Sequence, residues 1–484
     1  MTVIIAGGGP VGLLLAAELR LAGAAVTVLE RQAEPNGHSR AFRLQARTLE
    51  LFDQRGLLEP LLATSKRWPN AHFAGLRPLL DLTKLPTAHP YALLIPQART
   101  EAALAERALE LGAEIRRGHE VTGLDQNGQH VTVSVRGPDG DYRIEGSHLV
   151  GCDGGRSVVR KLAGVAFEGV PGRASCLLGD VALAEPGQLP SGVPGTLRTD
   201  DGLLMAVSLE QGVTRVLVTE FGRPVPDTPV TLVELTAAVR RVTGADVTLQ
   251  DPRWLSRFSD ASLLAAEYRI DRVLLAGDAA HIHFPIGAQG LNLGLQDAMN
   301  LGWKLAGVAN GWAPEDLLDT YAVERRPAAQ RVLQETRTQL ALMMPGEQTT
   351  LLRELVAELL AQPSVNLLLS EIATGLDVRY EPGPHPLIGQ RASELVVPGR
   401  GRIAELLRNG RGLLLDFSAD SRHAKAARGW TGRVDVVTAD DDPGGWTALL
   451  IRPDGYIAGA VDSAGGDEDG LTSALRRWFG SPEE

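Results

Sequence analysis

Cysteine is almost absent from this chain. Only Cys152 and Cys176 occur in 484 residues, and neither lies in a C-x-x-C pair. Two cysteines could form at most one disulfide bond, which is too few to stabilise a chain of this size, so a reducing, cytoplasmic setting is expected. No uninterrupted apolar run approaches the ~18 residues that a membrane-spanning helix needs. Residues 2–6 read as a strand with no basic leader before it, so we expect neither a signal peptide nor a membrane partner.

An excess of basic over acidic residues is also missing, as are several sequence patterns typical of catalytic or metal sites. Lysine and arginine number 48 against 59 acids, a net charge of -11, which argues against a nucleic-acid partner because phosphates need a basic excess. The sequence has no G-x-S-x-G elbow, so hydrolysis has no support. His281 and His283 stand without a further His or Cys cluster, so no metal site is expected.

The length predicts two or three structural units, because it exceeds what one hydrophobic core usually organises. Helix and strand patterns alternate over 1–170 and again over 265–380, which predicts a mixed α/β fold. Between them, 171–264 is rich in β-branched residues and Gly/Pro turns and predicts an inserted β-sheet substrate domain. A Pro/Gly joint at 381–384 leads to a last unit over 385–484.

A glycine fingerprint opens the chain. Gly7-x-Gly9-x-x-Gly12 follows a short apolar strand and starts a helix, and Glu30 ends the next strand. The glycines permit a tight turn, close approach to a pyrophosphate and close helix packing. A carboxylate at Glu30 can accept hydrogen bonds from a ribose diol, which favours FAD or NAD over NADP there. A bare βαβ turn is the alternative.

A second motif, Leu274–Asp278, is a buried strand ending in an acid and followed by a glycine-rich loop to Asn292 and then a helix. Such a loop offers backbone N–H groups and the positive end of a helix dipole, which the N1–C2=O edge of a reduced, anionic flavin requires. Asp278 can accept hydrogen bonds from ribityl hydroxyls. The motif favours FAD over NAD, and an N-capping acid before an ordinary loop is the alternative.

A third motif, Gly151–Ser157, again follows a buried strand and opens a helix. Asp153 is the acidic residue of this motif, and the alternative is that it only caps the N-terminus of the helix. With these motifs in this order and spacing, the chain resembles the group A FAD-dependent aromatic hydroxylases, which share the p-hydroxybenzoate hydroxylase fold. It is most similar to the angucycline- and anthracycline-type polyketide hydroxylases. Further stretches carry the resemblance: Ser39–Arg40, Ala46–Glu50, Phe52–Gly56, Leu149–Arg160, Gln296–Leu305 and Leu449–Gly455.

The resemblance implies a role for each matching position. Near the AMP half of FAD it places Gly9, Val11, Glu30 and Arg31. Near the pyrophosphate and ribityl chain it places Arg40, Gln97 and Asp278, with Asp153 in the helix used by FAD and the nicotinamide donor. Along the isoalloxazine the resemblance places Pro285, Gly287, Gly290, Leu291 and Asn292. The remaining candidate cofactor-binding residues are Gly7, Pro10, Gly12 and Val121. Ala288 stands where many relatives have glycine, which puts the mobility of this loop in doubt.

The implied reaction is monooxygenation of a polycyclic phenol through a C4a-hydroperoxyflavin, with FAD bound, NADPH or NADH as transient reductant and O2 as co-substrate. The absence of a second glycine fingerprint agrees with a nicotinamide that binds only transiently. No side chain stands out as an essential acid or base, so no catalytic residue is assigned. A Baeyer–Villiger enzyme, a flavin oxidase or dehydrogenase, a non-catalytic flavin protein, and a simpler phenol or an antibiotic as substrate stay open. A halogenase is disfavoured because W-x-W-x-I-P does not occur.

The last unit resembles the thioredoxin-like appendage of these hydroxylases. It contains no cysteine, so it cannot perform thiol redox chemistry. Packing or homo-oligomerisation is its expected role.

Overall fold

The computed structural model describes residues 2–35, 37–185, 187–189, 196–209, 212–223, 226, 228–392, 395–439, 445–463 and 468–483. The helices in this part of the chain are α1 (Pro10–Leu21), α2 (Ala46–Asp53), α3 (Leu58–Leu62), α4 (Gln97–Glu110), α5 (Val158–Leu162), α6 (Leu232–Thr243), α7 (Gly290–Ala309), α8 (Asp319–Met343), α9 (Glu347–Leu360), α10 (Pro363–Thr374), α11 (Ile403–Leu406), α12 (Arg422–Ala426) and α13 (Glu468–Phe479). Short 3-10 turns occur at Leu82–Lys84, Gly277–Ala279, Ile286–Ala288, Glu315–Leu318 and Ala427–Trp430.

A six-stranded, mostly parallel sheet forms the centre of the fold. In spatial order its strands are Arg269–Ile270, Val273–Leu275, His148–Gly151, Val3–Ala6, Val26–Glu30 and Glu114–Arg117. The inner strands are buried and mostly apolar, as expected of a parallel sheet that is covered on both faces. The short edge strand Arg269–Ile270 is antiparallel to its neighbour.

Helices α1 and α7 pack closely beside this sheet. A Cβ atom added at Gly302 of α7 would lie 2.4 Å from the Cβ of Glu18 in α1, so only glycine allows this approach. Almost all of α7 is buried, as expected of a helix that crosses the core. Its Trp303 lies 6.1 Å and 6.0 Å, centroid to centroid, from Trp478 and Phe479 of the last helix.

A separate five-stranded antiparallel sheet lies between the two α/β segments. Its strands, in spatial order, are Thr196–Arg198, Gly202–Ser208, Thr214–Glu220, Ser175–Leu183 and Leu249–Ser259. Helix α6 covers one face, where its Leu235 and Val239 join the core of the sheet. The sequence analysis predicted only strands here and missed α6, although Thr231 caps the helix and Gly244 ends it with a left-handed φ of 67°.

The C-terminal unit is a four-stranded sheet with helix α13 against it. Its spatial order is Val434–Thr438, Gly412–Asp416, Trp446–Ile451 and Ile457–Asp462. The first pair is parallel and the other two are antiparallel. Leu471, Leu475 and Phe479 of α13 contribute to its core.

Smaller sheets connect these parts. They consist of Glu120–Gln126, Val131–Gly137 and Gly140–Gly146; Phe167–Val170, Ser262–Ala265 and His281–Ile282; Arg43–Leu44, Lys66–Trp68 and Ala92–Leu94; Asn70–Ala71 and Leu80–Asp81; and Val396–Val397 and Gly401–Arg402. Among the described residues, no single helix has the length and apolar character to cross a membrane. Only α9 and α10 taken together pass that test, as a pair bent by 103°, which is weak support for a span.

Candidate active site

The three sequence motifs meet at one edge of the central sheet. Strands Val3–Ala6, His148–Gly151 and Val273–Leu275 are parallel neighbours, so their carboxyl ends open on the same side. The loops after them touch, since a Cβ atom added at Gly7 would lie 2.4 Å from the carbonyl oxygen of Cys152. The strand order reverses between the first two strands, which is where open α/β sheets bind their ligands.

Each glycine of the fingerprint has a separate structural reason. Gly7 adopts a φ of 107°, which side chains rarely tolerate. A Cβ atom at Gly12 would lie 2.1 Å from the Gly7 carbonyl oxygen, whereas one at Gly9 would meet nothing within 4 Å. Gly9 is the N-cap of α1 and Pro10 follows it, with no side chain capping the helix. The free N–H groups of α1 therefore face open space, which fits a phosphate.

Glu30 is tied to the glycine loop. Its Oε2 accepts a 2.7 Å hydrogen bond from the N–H of Gly8, and its Oε1 accepts one of 2.8 Å from Gln32. Each carboxylate oxygen keeps a further lone pair for a hydroxyl donor. Arg31, beside it, is exposed.

Asp153 accepts hydrogen bonds at the start of α5, although the N-cap residue of that helix is Ser157. Its Oδ2 accepts hydrogen bonds of 2.7 and 3.1 Å from the N–H groups of Val158 and Val159. Its Oδ1 is buried and has no partner among the described residues. Arg160 links this motif to the second one through a 2.9 Å hydrogen bond to the Ala279 carbonyl. The hydrogen bonds to α5 therefore use only Oδ2 of Asp153 and leave its Oδ1 without a bond.

Val11 of α1 fits between two glycines of the second motif and α7. Cβ atoms added at Gly277 and Gly294 would lie 3.0 and 2.7 Å from its Cγ2. Gly277 also has a left-handed φ of 63°. The next residue, Asp278, is exposed and receives no hydrogen bond from the part of the chain that the structure describes. The backbone is therefore fixed while this carboxylate stays free.

The loop Pro285–Asn292 ends at the N-terminus of α7. The helix starts at Gly290, without a side-chain cap or an acid in its first turn. Asn292 is 3% exposed, so its side chain is directed into the protein. Its amide makes four hydrogen bonds, at 2.7, 2.8, 3.1 and 2.8 Å, with Gln45 N, Thr48 Oγ1, Arg43 O and Ala288 O. The side chain thus anchors the loop, and only its backbone N–H is left for a ligand.

Two consecutive residues of this loop have left-handed backbones. Gly287 has a φ of 76° and Ala288 a φ of 56°. Glycine adopts this conformation freely, whereas a side chain costs ~1–2 kcal/mol. The position at which the sequence departs from many relatives is therefore one where alanine is strained.

Replacing Ala288 by glycine is expected to stabilise the protein by up to ~1 kcal/mol, since relief of strain exceeds the entropy that glycine adds to the unfolded chain. Ala102→Gly, at an exposed position inside α4, is the control and should destabilise by ~1 kcal/mol. Urea denaturation of both variants measures the difference. Equal destabilisation by the two changes would contradict the left-handed backbone at residue 288.

A buried ion network lies under the second motif. Asp297 of α7 accepts hydrogen bonds of 2.7 Å from His281, 2.9 Å from Arg325 and 3.1 Å from the N–H of Gly277. Burial opposes ionisation, but His281 and Arg325 hold the pKa of Asp297 below its usual value. His281 is thus a partner of Asp297. No group of three His, Cys, Asp or Glu residues in the described ranges could hold a metal ion.

Arg215 connects the five-stranded sheet to the loop that carries Arg40. Its guanidinium makes two 2.8 Å hydrogen bonds with Asp180 of the same sheet. It also donates to the carbonyl oxygens of Ser39 and Arg40, the latter at 2.9 Å. The Arg40 side chain itself is exposed.

Gln97 and Val121 are less available than the resemblance implies. Gln97 Oε1 accepts a 2.9 Å hydrogen bond from the N–H of Ala41, and its Nε2 donates at 2.6 Å to Glu101. Val121 is buried in the hydrophobic core. Gln97 therefore orients the Arg40 loop, and Val121 leaves only its backbone for a cofactor.

An apolar wall lies beside the Pro285–Asn292 loop. We define the wall as Phe73, Leu76, Cys176, Leu203, Phe258, Phe284 and Ile286, which belong to one hydrophobic cluster. Phe258 of the five-stranded sheet and Phe284, which directly precedes the loop, are 6.5 Å apart, centroid to centroid. Burial raises the pKa of the Cys176 thiol to about 12, so it is an inert apolar neighbour here.

The sequence analysis missed Asn292 as an anchor and missed Gln45, Asp297, Arg325 and Arg215 altogether. Apart from Ala288, four residues before Asn292, their partners lie 16 to 249 residues away along the chain, so no local pattern indicates them. The one available signal was a carboxylate, Asp297, inside the largely apolar helix α7, because a buried carboxylate needs a partner.

Comparisons with known proteins agree with this geometry. The family model described as "FAD binding domain" matches residues 1–336, and that described as "Aromatic-ring hydroxylase, C-terminal" matches residues 385–482. The chain is 48% identical to a 12-dehydrotetracycline 5-monooxygenase/anhydrotetracycline 6-monooxygenase of Streptomyces rimosus, over 99% of both chains. It is 46% identical to a rifampicin monooxygenase of Streptomyces venezuelae, over 99% of this chain and 98% of that one.

Solved structures give the same result. An anhydrotetracycline hydroxylase from Streptomyces rimosus, 49% identical, superposes with a TM-score of 0.94 over 100% of both chains. An aromatic hydroxylase from angucycline biosynthesis, 42% identical, gives a TM-score of 0.91 over 100% of this chain and 99% of that one. The chain therefore belongs to the FAD-dependent aromatic-ring hydroxylases, flavoprotein monooxygenases that use NAD(P)H and O2.

Proposed function

We propose that this enzyme hydroxylates a polycyclic, polyketide-type phenol held between the apolar wall and the Pro285–Asn292 loop. The meeting of the three motifs at the switch point of the sheet carries the proposal, because a flavin bound there would have its ring end beside that wall. The names of the relatives support the substrate class, since they describe tetracycline, angucycline and rifampicin oxygenases. An apolar wall suits a fused aromatic ring system.

The AMP half of FAD would lie along the glycine fingerprint. The N–H groups at the start of α1 would face the pyrophosphate, and Gly9 leaves the space that the pyrophosphate requires. Glu30 would accept hydrogen bonds from the ribose, with Arg31 nearby. Arg40 would meet the pyrophosphate, in a loop that Gln97 and Arg215 orient.

Asp278 and the first turn of α7 would hold the flavin end. FAD supplies the hydride acceptor and the site of O2 activation when bound. Asp278 would fix the ribityl chain, and the free N–H groups of Gly290, Leu291 and Asn292 would stabilise negative charge at the ring edge. Pro285 and Gly287 would contact the ring through the backbone. The apolar wall would exclude water from the reacting atoms.

Asp153 is proposed to organise the helix α5 that serves both FAD and the transient nicotinamide donor, NADPH or NADH. Its buried Oδ1 has no partner among the described residues, and hydrogen bonds from the start of α5 fix its position. We also retain the division at 1–170, 171–264, 265–380 and 385–484, which the separate sheets support. A cytoplasmic setting, supported by two free cysteines, and a homo-oligomer complete the proposal.

The proposal is tested by product analysis under labelled dioxygen. Purified holoenzyme is supplied with NADPH and a panel of polycyclic phenols, and the products are identified by mass and NMR. One labelled oxygen on a ring carbon supports the proposal. Oxygen inserted into a ring bond would indicate a Baeyer–Villiger enzyme, and oxidation without label a flavin oxidase or dehydrogenase; both outcomes overturn it.

One relative favours a second candidate. The chain is 40% identical, over 99% of both chains, to a dialkyldecalin synthase of Streptomyces rugosporus. A Diels-Alderase structure, 39% identical, superposes with a TM-score of 0.85. A ring-forming synthase would consume no NADPH and would leave the product mass equal to that of the substrate, so the same experiment separates the two.

Glu30→Ala is expected to weaken FAD binding by about one order of magnitude, because charged hydrogen bonds to the ribose contribute ~1–3 kcal/mol. Glu34→Ala, at an exposed position beyond the strand, is the control and should leave binding unchanged. Flavin fluorescence during reconstitution of the apoprotein gives both dissociation constants. Equal constants for wild type and Glu30→Ala would remove this residue from the ribose site.

A further inference from the structure

Glu335 of α8 lies in a nearly closed environment behind the Pro285–Asn292 loop. Its Oε2 accepts a 2.5 Å hydrogen bond from Gln289 Nε2, and its Oε1 accepts one of 3.0 Å from Gln339 Nε2. Gln289 and Gln339 are 4% and 1% exposed. A Cβ atom at Gly287 would lie 3.3 and 3.6 Å from the two amide nitrogens, so the cluster supports that turn directly.

The charges that face Glu335 nearly cancel. Arg331 on the same helix and Asp377 after α10 are the charged neighbours, and they pair with each other at 2.7 Å. Gln289 from the loop and Gln339 from α8 contribute only neutral amides. Burial, reinforced by Asp377, therefore raises the pKa of Glu335 to about 7. No cation is dedicated to this carboxylate in the described part of the chain.

A proton can reach this carboxyl group from solvent. Glu335, Gln289 and Asn292 line a small cavity of about 30 Å³, enough for one or two water molecules. That cavity shares Arg331 and Asp377 with an open cleft of about 740 Å³ between α8, α10 and the chain that follows. Burial in this cluster is thus sufficient to raise the pKa of Glu335, while the small cavity lets its carboxyl group exchange a proton with water.

We propose that Glu335 is a positioning residue that takes up a proton when negative charge arrives at the N-terminus of α7, and so keeps the Gly287–Gly290 turn in place. This inference rests on the proposed placement of the flavin edge at that helix. When FAD is bound, hydride transfer from NAD(P)H, which leaves as NAD(P)+, would add one negative charge to the cofactor, and a solvent proton would then convert the Glu335 carboxylate to the carboxylic acid. Reoxidation of the cofactor would return that proton to solvent. Without this uptake, two negative charges would share a poorly solvated region.

The first arm of the test uses the FAD-free protein. A group whose folded pKa is raised stabilises the fold below its ordinary pKa and loses that contribution as pH rises through the raised value. The melting temperature of wild type relative to Glu335→Gln should therefore fall as pH rises from about 4.5 and should level off above about 7. Glu354→Gln, at an exposed position on α9, is the control and should show no such step. A flat difference would overturn the proposal.

The second arm measures the reduction potential of bound FAD against pH. One additional proton taken up with two electrons steepens the dependence by about 30 mV per pH unit. Above pH 7 the wild-type slope should exceed that of Glu335→Gln by this amount, and Glu335→Asp should restore part of it. Identical slopes in wild type and Glu335→Gln would overturn the coupling. Failure of all variants to bind FAD would instead refute the proposed cofactor site.

Discussion

Asp278→Ala is expected to lose most of its hydroxylation while retaining FAD at higher concentration. The side chain is exposed, and Val11 and Asp297 fix the backbone of the preceding residue, Gly277. Removing the carboxylate therefore changes ligand contacts more than the fold. Lost ribityl hydrogen bonds should raise the FAD dissociation constant about tenfold. A ring displaced by ~1 Å from its position over the substrate should cost on the order of a hundredfold in rate.

The measurement that isolates this effect is coupling. Oxygen reduced without product formation leaves as hydrogen peroxide, so peroxide released per NADPH consumed should rise in Asp278→Ala at saturating FAD. Asp316→Ala, an exposed aspartate in the Glu315–Leu318 turn, is the matched control and should keep wild-type coupling. Wild-type coupling and turnover in both variants would show that Asp278 is not at the flavin.

Glu324→Gln is expected to destabilise the protein by ~3–5 kcal/mol, because removing one partner of a buried ion pair leaves uncompensated charge. Glu324 of α8 receives hydrogen bonds of 2.5 and 2.9 Å from Arg452 of the C-terminal unit and 2.7 Å from Lys304 of α7. All three side chains are at most 4% exposed. In the variant, Asp454 would be the one carboxylate left to Arg452 in this cluster.

The effect should appear where the C-terminal unit meets the rest of the fold. Urea denaturation gives the loss of stability, and limited proteolysis should release the unit after the joint at 381–384. Glu358→Gln, at an exposed position on α9, is the control and should stay within ~0.5 kcal/mol of wild type. An equally small effect of Glu324→Gln would mean that this ion cluster does not secure the unit.

The same cluster predicts acid sensitivity. Burial opposes ionisation, but Arg452 and Lys304 hold the pKa of Glu324 far below its usual value. A depressed pKa contributes stability above the ordinary value of 4.5, and that stability is lost as pH falls further. Wild type should therefore lose stability relative to Glu324→Gln below about pH 4.5, as followed by circular dichroism.

The parts of the site that lie in continuous segments were predictable. The sequence predicted the correct local structure for three segments: the turn at Gly7–Gly12, the strand that ends at Glu30 and the loop before α7. These predictions succeeded because turn geometry and helix starts depend on neighbouring residues. The missed helix α6 had local signals at Thr231 and Gly244, but its valines and threonines also suit strands. Its helical period was obscured by a composition typical of a sheet.

The sequence alone determined the nucleotide fold, the order of its motifs and the family, since each depends on residue types at short spacing. Only the tertiary structure shows that the Asn292 side chain anchors its loop through hydrogen bonds, while the Asp278 carboxylate is exposed. Only packing brought Gln289 and Gln339 to Glu335, and Arg452 to Glu324. The physical reason is that the energy of a polar side chain is set by what surrounds it once buried, and those partners come from distant parts of the chain.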